Sequence, residues 1–421
     1  MRSEKLVRQL EETHRREWGR SVAAICRASG DLQLAEDCVQ DAFASALKTW
    51  GTSGVPDNPG AWIRTAARRR LIDFIRRRKT RLQSDGKLRI EAELTAIEDI
   101  DEKYLSDKVI DDDELALIFL CCHPTISPTD QVMLTLTIVT GLTPKDIAAA
   151  FFADHEAIRT RLLRSKRKIK AARIPVSIPA TDQLEERSRQ VHAVIYLIFN
   201  EGYLTSRQEN VTRPDLTYEA MRLCKTLIDL APGNSESCGL YALMHLTDAR
   251  VLARVSGAGV LIPLDQQDRD LWRKDQIVAG FNYLRRAFSG GAVGRYTLQA
   301  AIAAEHAKAA TYEQTNWSAI VTLYDRLIEI EDSPVYRLNR CIALSYKDGP
   351  ISALEDLALI SDSGLLSDSY QLIATRADFL ARVGHLDEAV KDYRKAIDQL
   401  PNGSIKASLA KKLAALNIVS D

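Results

Sequence analysis

Apolar residues recur along the chain at three- and four-residue steps, and no stretch alternates convincingly with a period of two. The chain is therefore expected to be all-α. In the first block, Val39, Phe43, Leu47 and Trp50 form one apolar stripe, while Glu36, Asp37, Gln40 and Asp41 share another face of the same helix. Residues 51–60 read as a loop by their glycine, proline and asparagine content, and a second helix is expected from Pro59 onward. Residues 86–110 are acidic and weakly patterned, the signature of a linker. A second block over 111–173 ends in two short helices. Thr143, Pro144 and Asp146 start the first of these, whose buried face is Ile147, Ala148 and Phe151. Ala153-Asp154 makes the turn. Asp154 then caps the second helix, whose apolar stripe is Ile158, Leu162 and Ile169.

Two prolines in 174–181 mark a second linker, and residues 182–421 read as one helical array. The array repeats. Ala319-Ile320, Ala353-Leu354 and Ala389-Val390 are spaced by 34 and 36 residues. Gly384, Ala389, Tyr393, Ala396 and Pro401 stand where the second helix of a tetratricopeptide repeat places them, whereas Ala377 and Leu380 depart from the first-helix pattern. Helix pairs of this kind stack because one pair cannot bury its apolar face alone.

Charge changes the picture. The formal net charge is zero, but it is unevenly spread. Residues 64–81 hold nine Lys and Arg against Asp73 alone, and residues 91–114 hold eleven acids against Lys103 and Lys108. Residues 159–170 hold seven Lys and Arg and no acid. That second helix presents Glu156, Thr160, Arg164 and Arg167 opposite its apolar stripe, flanked by Arg159, Arg161, Lys166, Lys168 and Lys170. One apolar stripe and an otherwise basic surface suit a helix docked in a major groove. Arg forks read guanine edges there, and the other cations neutralise phosphates.

Other chemistry is sparse. The seven cysteines are scattered without a CxxC pair, which fits a reducing cytoplasm. Cys121-Cys122-His123 has no second ligand pair beside it and is expected to be structural, so no metal is expected. No apolar run approaches the ~20 residues of a membrane span, and the N-terminus is not signal-like. A cytoplasmic protein without a membrane partner is expected. No nucleophile elbow, zinc-protease motif or phosphate loop is present, and the glycine-rich 289–294 lacks a strand–helix setting. Neither enzymatic activity nor a cofactor is expected.

AEDCVQDAFASALKTW (35–50) followed by NPGAWIRTAARRRLIDFIRRR (58–78) closely resembles region 2 of extracytoplasmic-function sigma factors of the sigma-70 family. DDELALIFLCCHPTISPTDQVMLTLTIVTGLTPKDIAAAF (112–151) with the next helix is similar to their region 4. YLIFNEGYLTS (196–206), PLDQQDRDLW (263–272), LQAAIAAEHA (298–307) and SPVYRLNRCIAL (333–344) resemble the subgroup with a tetratricopeptide-like C-terminal domain. Asp154-His155-Glu156 departs from that family, whose relatives more often carry a small or apolar residue there.

The resemblance implies a chain that binds core RNA polymerase and opens promoters. Glu36, Asp37, Gln40 and Asp41 would dock on the polymerase clamp helices. At the −10 element, Asp57 and Asn58 would read a flipped base held by the loop before the second helix, Trp62 would stack on an unpaired base or wedge the duplex, and Arg64, Arg68, Arg69 and Arg76 would contact phosphates. Glu156, Arg159, Thr160, Arg161, Arg164, Lys166 and Arg167 would read the −35 element. The two small domains, on a flexible linker, would bind by linkage. The C-terminal array would regulate in cis through an intramolecular interface at Tyr196, Phe199, Asn200, Glu201 and Tyr203.

Three other classes compete. A one-component regulator accounts for 143–421 but not for the paired motifs at 35–78. An enzyme lacks its motifs, and a scaffold leaves the dense basic helices without a purpose.

Overall fold

A computed structural model describes residues 2–80, 107–151, 154–203, 214–256, 261–291, 293–362, 369–400 and 403–420. Among them there are eighteen α-helices and no strand, only an isolated bridge between Val255 and Leu261. The all-α expectation holds. The chain divides into two compact units, 1–198 and 199–421. Most of the acidic stretch 86–110, together with Arg81 and Ala153, lies outside the described residues.

The N-terminal unit opens with α1 (Arg2–Ser29), α2 (Leu32–Ser53) and α3 (Pro59–Thr80). Asp31 caps α2, its carboxylate accepting from the Gln33 and Leu34 N–H groups. Gly54, at φ 86°, ends that helix and donates to the Trp50 carbonyl, so residues 51–53 are helical and the loop is shorter than expected. Leu47 also differs from expectation. It is 50% exposed, and Ala46 completes the buried stripe between Phe43 and Trp50 instead. Spacing of three then four residues suits the helix better than two steps of four followed by three, so position 46 falls on the core side.

The second block begins with α4 (Asp107–Cys121) and α5 (Pro128–Leu134), the latter capped by Ser127 and running into a π-helical turn at Thr135–Val139. Then come α6 (Pro144–Phe151) and α7 (His155–Ala171). At the start of α6, the Asp146 N–H donates to Thr143 Oγ1, and the Thr143 N–H donates back to the Asp146 carboxylate. Asp154 caps α7 by accepting from the Ala157 N–H at 2.9 Å. Ile147 and Ala148 are buried, as are Ile158, Leu162 and Ile169, while the Phe151 side chain lies outside the described residues.

The expectation of two small domains on a flexible tether is corrected here, because both blocks pack into one unit. Trp18 Nε1 of α1 donates to the Thr137 carbonyl in the π turn at 3.2 Å. Arg20 pairs with Glu114, and Arg27 with Asp113. Gly19 lets the backbones meet: a Cβ at that position would lie 2.2 Å from the Val139 carbonyl oxygen. Apolar burial along this contact, with Val22, Ile118, Leu136 and Ile138 all fully covered, outweighs the freedom a tether would keep. The acids at 113–114, at the start of the second block, are the ionic partners of α1.

The boundary between units also differs from the proline-rich stretch at 174–181. It falls inside α8 (Thr181–Tyr203). The first part of α8 belongs to the N-terminal unit, where Arg187 donates to the Phe119 carbonyl at 2.7 Å and Val191, Val194 and Ile195 are buried.

The C-terminal unit continues with α9 (Pro214–Leu230), α10 (Ser235–Asp248), α11 (Lys274–Ser289) and α12 (Arg295–Lys308). There follow α13 (Trp317–Ile330), α14 (Pro334–Lys347), α15 (Pro350–Asp362), α16 (Tyr370–Arg382), α17 (Leu386–Asp398) and α18 (Ser404–Ser420). The repeated Ala-apolar pairs fall on α13, α15 and α17, every second helix, and Ile320, Ala353 and Ala389 are buried. Polar groups fix the order of the stack. Glu236 accepts from both the Tyr296 and Thr297 N–H groups, capping α12 from α10. Arg376 of α16 forks onto Asp392 of α17 at 2.6 and 2.7 Å.

Candidate nucleic-acid interface

The end of α2, the loop before α3 and the start of that helix border an open groove of about 580 Å³. Asn58, Trp62 and Arg69 line it, three of the seven residues expected to contact the −10 element. Ser45, Thr49, Arg70 and Asp73 supply further polar lining that was not foreseen, and Pro56, Ala61, Thr65 and Ala66 the rest. Their signal is present in the sequence: Ser45 and Thr49 are one turn apart on α2, and Arg69 and Asp73 one turn apart on α3, with a tight loop that brings the two helices face to face. Arg70 donates to Ser45 Oγ at 3.3 Å across this junction. Hydroxyls, a carboxylate and guanidinium forks around an indole offer donors, acceptors and a stacking surface together.

The individual side chains differ in readiness. Asn58 caps α3, its Oδ1 accepting from the Ala61 N–H at 3.0 Å, so its amide nitrogen is the group left for a ligand. Trp62 is half-buried and meets Trp50 edge-on at 5.4 Å, which fixes the ring beside the groove. Asp57, Arg69 and Arg76 are exposed, and Arg68 is half-buried. Arg64 is a correction. It is buried and pairs with buried Glu17 at 2.6 Å, which takes it out of any phosphate contact. A basic run cannot reveal which of its members turns inward; α1 supplies the deciding carboxylate.

On α7, Thr160, Arg164 and Arg167 face solvent. The others are engaged within the chain. Arg159 forks onto Glu156, and that hydrogen bond holds the Glu156 carboxyl below its usual range. Arg161 pairs with Asp130 at 2.9 Å. Lys166 reaches out of its own block to Glu36 of α2 at 2.6 Å, and Lys170 reaches Asp31 at 2.7 Å.

The polar face of α2 is therefore not an open surface. Glu36 is 7% exposed, contrary to a solvated docking carboxylate, whereas Asp37, Gln40 and Asp41 are exposed. Burial pushes the Glu36 carboxyl up, and the Lys166 ammonium pulls it only part of the way back. Asp31 goes the other way. Burial raises it, but the hydrogen bonds from Lys170 and from the Leu34 and Gln33 N–H groups win and hold it below its usual range. Glu36, Asp37 and Gln40 line a cleft of about 410 Å³ together with Arg159, Leu163 and Lys166. Expected polymerase-docking and −35-reading residues thus face each other.

The expected regulatory residues divide. Phe199 and Tyr203 are buried and stack on one another at 5.7 Å, and Arg254 lies 3.8 Å over the Tyr203 ring. These two are core, not interface. Tyr196, Asn200 and Glu201 are half-buried. Cys121 and Cys122 are fully buried, and burial raises both thiols, that of Cys122 to about 12. No group of three or more metal-ligating side chains occurs among the described residues, and no helix there is long and apolar enough to cross a membrane.

Residues 15–81 match the sigma-70 region 2 family, and residues 187–288 match a family of unknown function (DUF6596). An uncharacterized protein of Rhizobium meliloti (strain 1021) is 36% identical over 400 residues, covering 93% of this chain and 92% of that protein. The chain belongs to one family with it. A probable extracytoplasmic-function RNA polymerase sigma factor, SigI, of Mycobacterium tuberculosis is 29% identical over 167 residues, covering 38% of this chain and 55% of that protein. No solved structure matches the chain.

Proposed function

We propose that this member of the family, with its sigma-70 region 2, is an RNA polymerase sigma factor of the extracytoplasmic-function type. Residues 1–85 act as region 2 and 111–173 as region 4, with the helical array beyond them regulating output. The observation that carries this reading is the groove beside Trp62, which lies inside the stretch that matches sigma-70 region 2. A base leaving the duplex needs such a pocket, with a ring to stack on and polar atoms to read its edge. Asn58, Arg69, Arg70 and Asp73 are its readers, and Trp62 its stacking wall. Exposed Asp37, Gln40 and Asp41 dock on the arginine-rich clamp helices of core polymerase. Arg164, Arg167 and Thr160 lead the −35 contact, joined by Arg159, Arg161 and Lys166 once their present partners release them. The chain works in the cytoplasm as a binding and positioning protein, without catalysis of its own.

Run-off transcription tests this, using bacterial core polymerase and the DNA upstream of the chain's own gene. The full chain yields a discrete transcript, and Trp62→Ala abolishes or greatly weakens it. Tight promoter binding by the chain alone, with no transcript, would make it a one-component regulator instead. A truncation used to probe the array should end after Ile198 and not at 180, because Arg187 and the buried Val191–Ile195 face belong to the N-terminal unit.

A further inference from the structure

Two 3₁₀ turns, Val251–Ala253 and Arg269–Leu271, pack together in the C-terminal unit and gather cations around one indole. The guanidinium carbons of Arg250 and Arg269 lie 5.9 and 4.7 Å from the Trp272 ring, and Arg254 covers Tyr203 close by. Among the described residues, none of these three arginines forms an ion pair. The neighbouring carboxylates are engaged elsewhere. Asp268 accepts from the Asp270 N–H, and exposed Glu313, which faces Arg269, is held by its own backbone N–H and by Thr311. Elsewhere in this unit an arginine inside the stack has its acid, as Arg376 has Asp392 and Arg340 has Asp356. Here, burial first and Arg250 second lower the pKa of Arg269, and burial with both arginines pushes His306 down to about 3.

Donors are left over as well. Trp272 is 4% exposed, and its Nε1 has no hydrogen-bond partner. Neither has Arg269 Nη2 or His306 Nδ1, although Arg269 Nη1 closes the end of α12 by donating to the Ala309 carbonyl at 2.7 Å. A buried N–H ordinarily has a partner. Arg250 and Arg269 are half-buried, so the cluster reaches solvent while the indole lies deeper.

We propose that this cluster is a receptor for the phosphomonoester group of a small molecule. Two guanidinium forks and an indole N–H offer donors in several directions. A tetrahedral dianion accepts from all of them, whereas a planar carboxylate satisfies one fork. A nucleic-acid backbone carries one charge per phosphate and extends on both flanks, so it does not bring its oxygens to an indole this deep. Exposed Leu252 and Leu271, one on each turn, give the rest of the ligand an apolar rim. The helical array thereby has a chemical input of its own. Any effect of that input on transcription rests on the sigma-factor reading, but binding does not.

Nuclear magnetic resonance on the full-length chain, isotope-labelled at its tryptophan indoles, tests this. Trp272→Phe removes one of the five indole signals and so assigns it. Inorganic phosphate and phenyl phosphate are expected to move that signal saturably, with half-saturation at or below about 1 mM. Arg250→Met gives up only a ring contact, keeps the helical content, and should weaken both ligands about tenfold or more. Arg394→Met, at an exposed cation of α17, should change neither. A Trp272 signal that does not move, or equal affinity in Arg250→Met, would overturn the proposal. So would equal binding of acetate, which would make this a carboxylate site, or of dimethyl phosphate, which would make it a seat for nucleic acid. Phosphate binding in a chain that directs no transcript would uphold the receptor and refute the sigma-factor reading alone.

Discussion

Arg64 separates the sequence reading from the structural one, and the difference is measurable. Its guanidinium sits 2.6 Å from Glu17, with side-chain exposures of 9% and 7%. Replacing Arg64 with alanine leaves a carboxylate in a place from which water is largely excluded. Breaking one side of a buried pair costs about 3–5 kcal/mol. The lower end applies here, because Arg16 Nε stands 3.4 Å from the other Glu17 oxygen and supplies some residual compensation from a mostly exposed position. The carboxylate has little room to move away, since even a methyl on Gly60 would come within 2.4 Å of it. A loss of about 3 kcal/mol is a large share of the ~5–15 kcal/mol by which a folded domain is stable. Urea unfolding followed by circular dichroism reads it as a lower midpoint for the N-terminal unit at unchanged slope. Removing both partners, as Glu17→Leu with Arg64→Met, should return most of the loss, because two packed apolar side chains need no compensation. If Arg64→Ala costs less than about 1 kcal/mol while abolishing DNA binding, the residue is a phosphate contact after all and the buried pair is energetically unimportant.

Asp154→Ala removes the cap of α7 and is expected to cost about 1 kcal/mol, seen as faster amide exchange in the first turn of that helix, while Asp154→Asn is nearly neutral. Trp62→Ala takes away one stacking surface, worth ~1–3 kcal/mol per base, so promoter opening read by permanganate footprinting should fall about tenfold or more, and Trp62→Phe, which keeps a ring against Trp50, should restore much of it. His306 gives the C-terminal unit an acid-sensitive step. Burial, with Arg250 and Arg269 nearby, lowers its pKa from 6.5 to about 3. A histidine depressed in the folded state binds its proton more readily when unfolded. Its contribution is therefore complete above pH 6.5 and is lost as pH falls toward 3, by up to about 1.4 kcal/mol per pH unit. His306→Phe should flatten that part of the stability profile in calorimetry, and an unchanged profile would show that the ring is protonated without cost.

Helix class and the starts of α6 and α7 were legible because each rests on local chemistry, and the same chemistry recurs at other helix starts. Asp31, Ser127, Asp154, Asn234 and Asn316 all accept from an N–H in the first turn of the helix that follows them. The groove beside Trp62 was half-legible. Its loop residues stood out by composition, but Ser45, Thr49 and Asp73 look like ordinary polar positions until α2 and α3 are brought face to face. Leu47 and Ala46 show a narrower failure, in which one position on a helix stripe was assigned by hydrophobicity when helical angle decided. Phe199 and Tyr203 show the reverse of a surface motif. The polar triplet between them suggested an interface, yet both rings stack in the core under Arg254.

The least legible feature was the one with the largest consequence. Glu36 and Lys166 are far apart in the chain, and each was read from its own helix as half of a contact with some other molecule. Both readings were chemically sound, since an acidic face wants a cation and a basic face an anion. What local reading lacks is a reason to exclude the chain itself as the partner. That reason comes from shape. Gly19 and Gly141 let α1 approach the π turn and the loop after it closely enough for α7 to reach α2, and larger residues at those two positions would hold the faces apart.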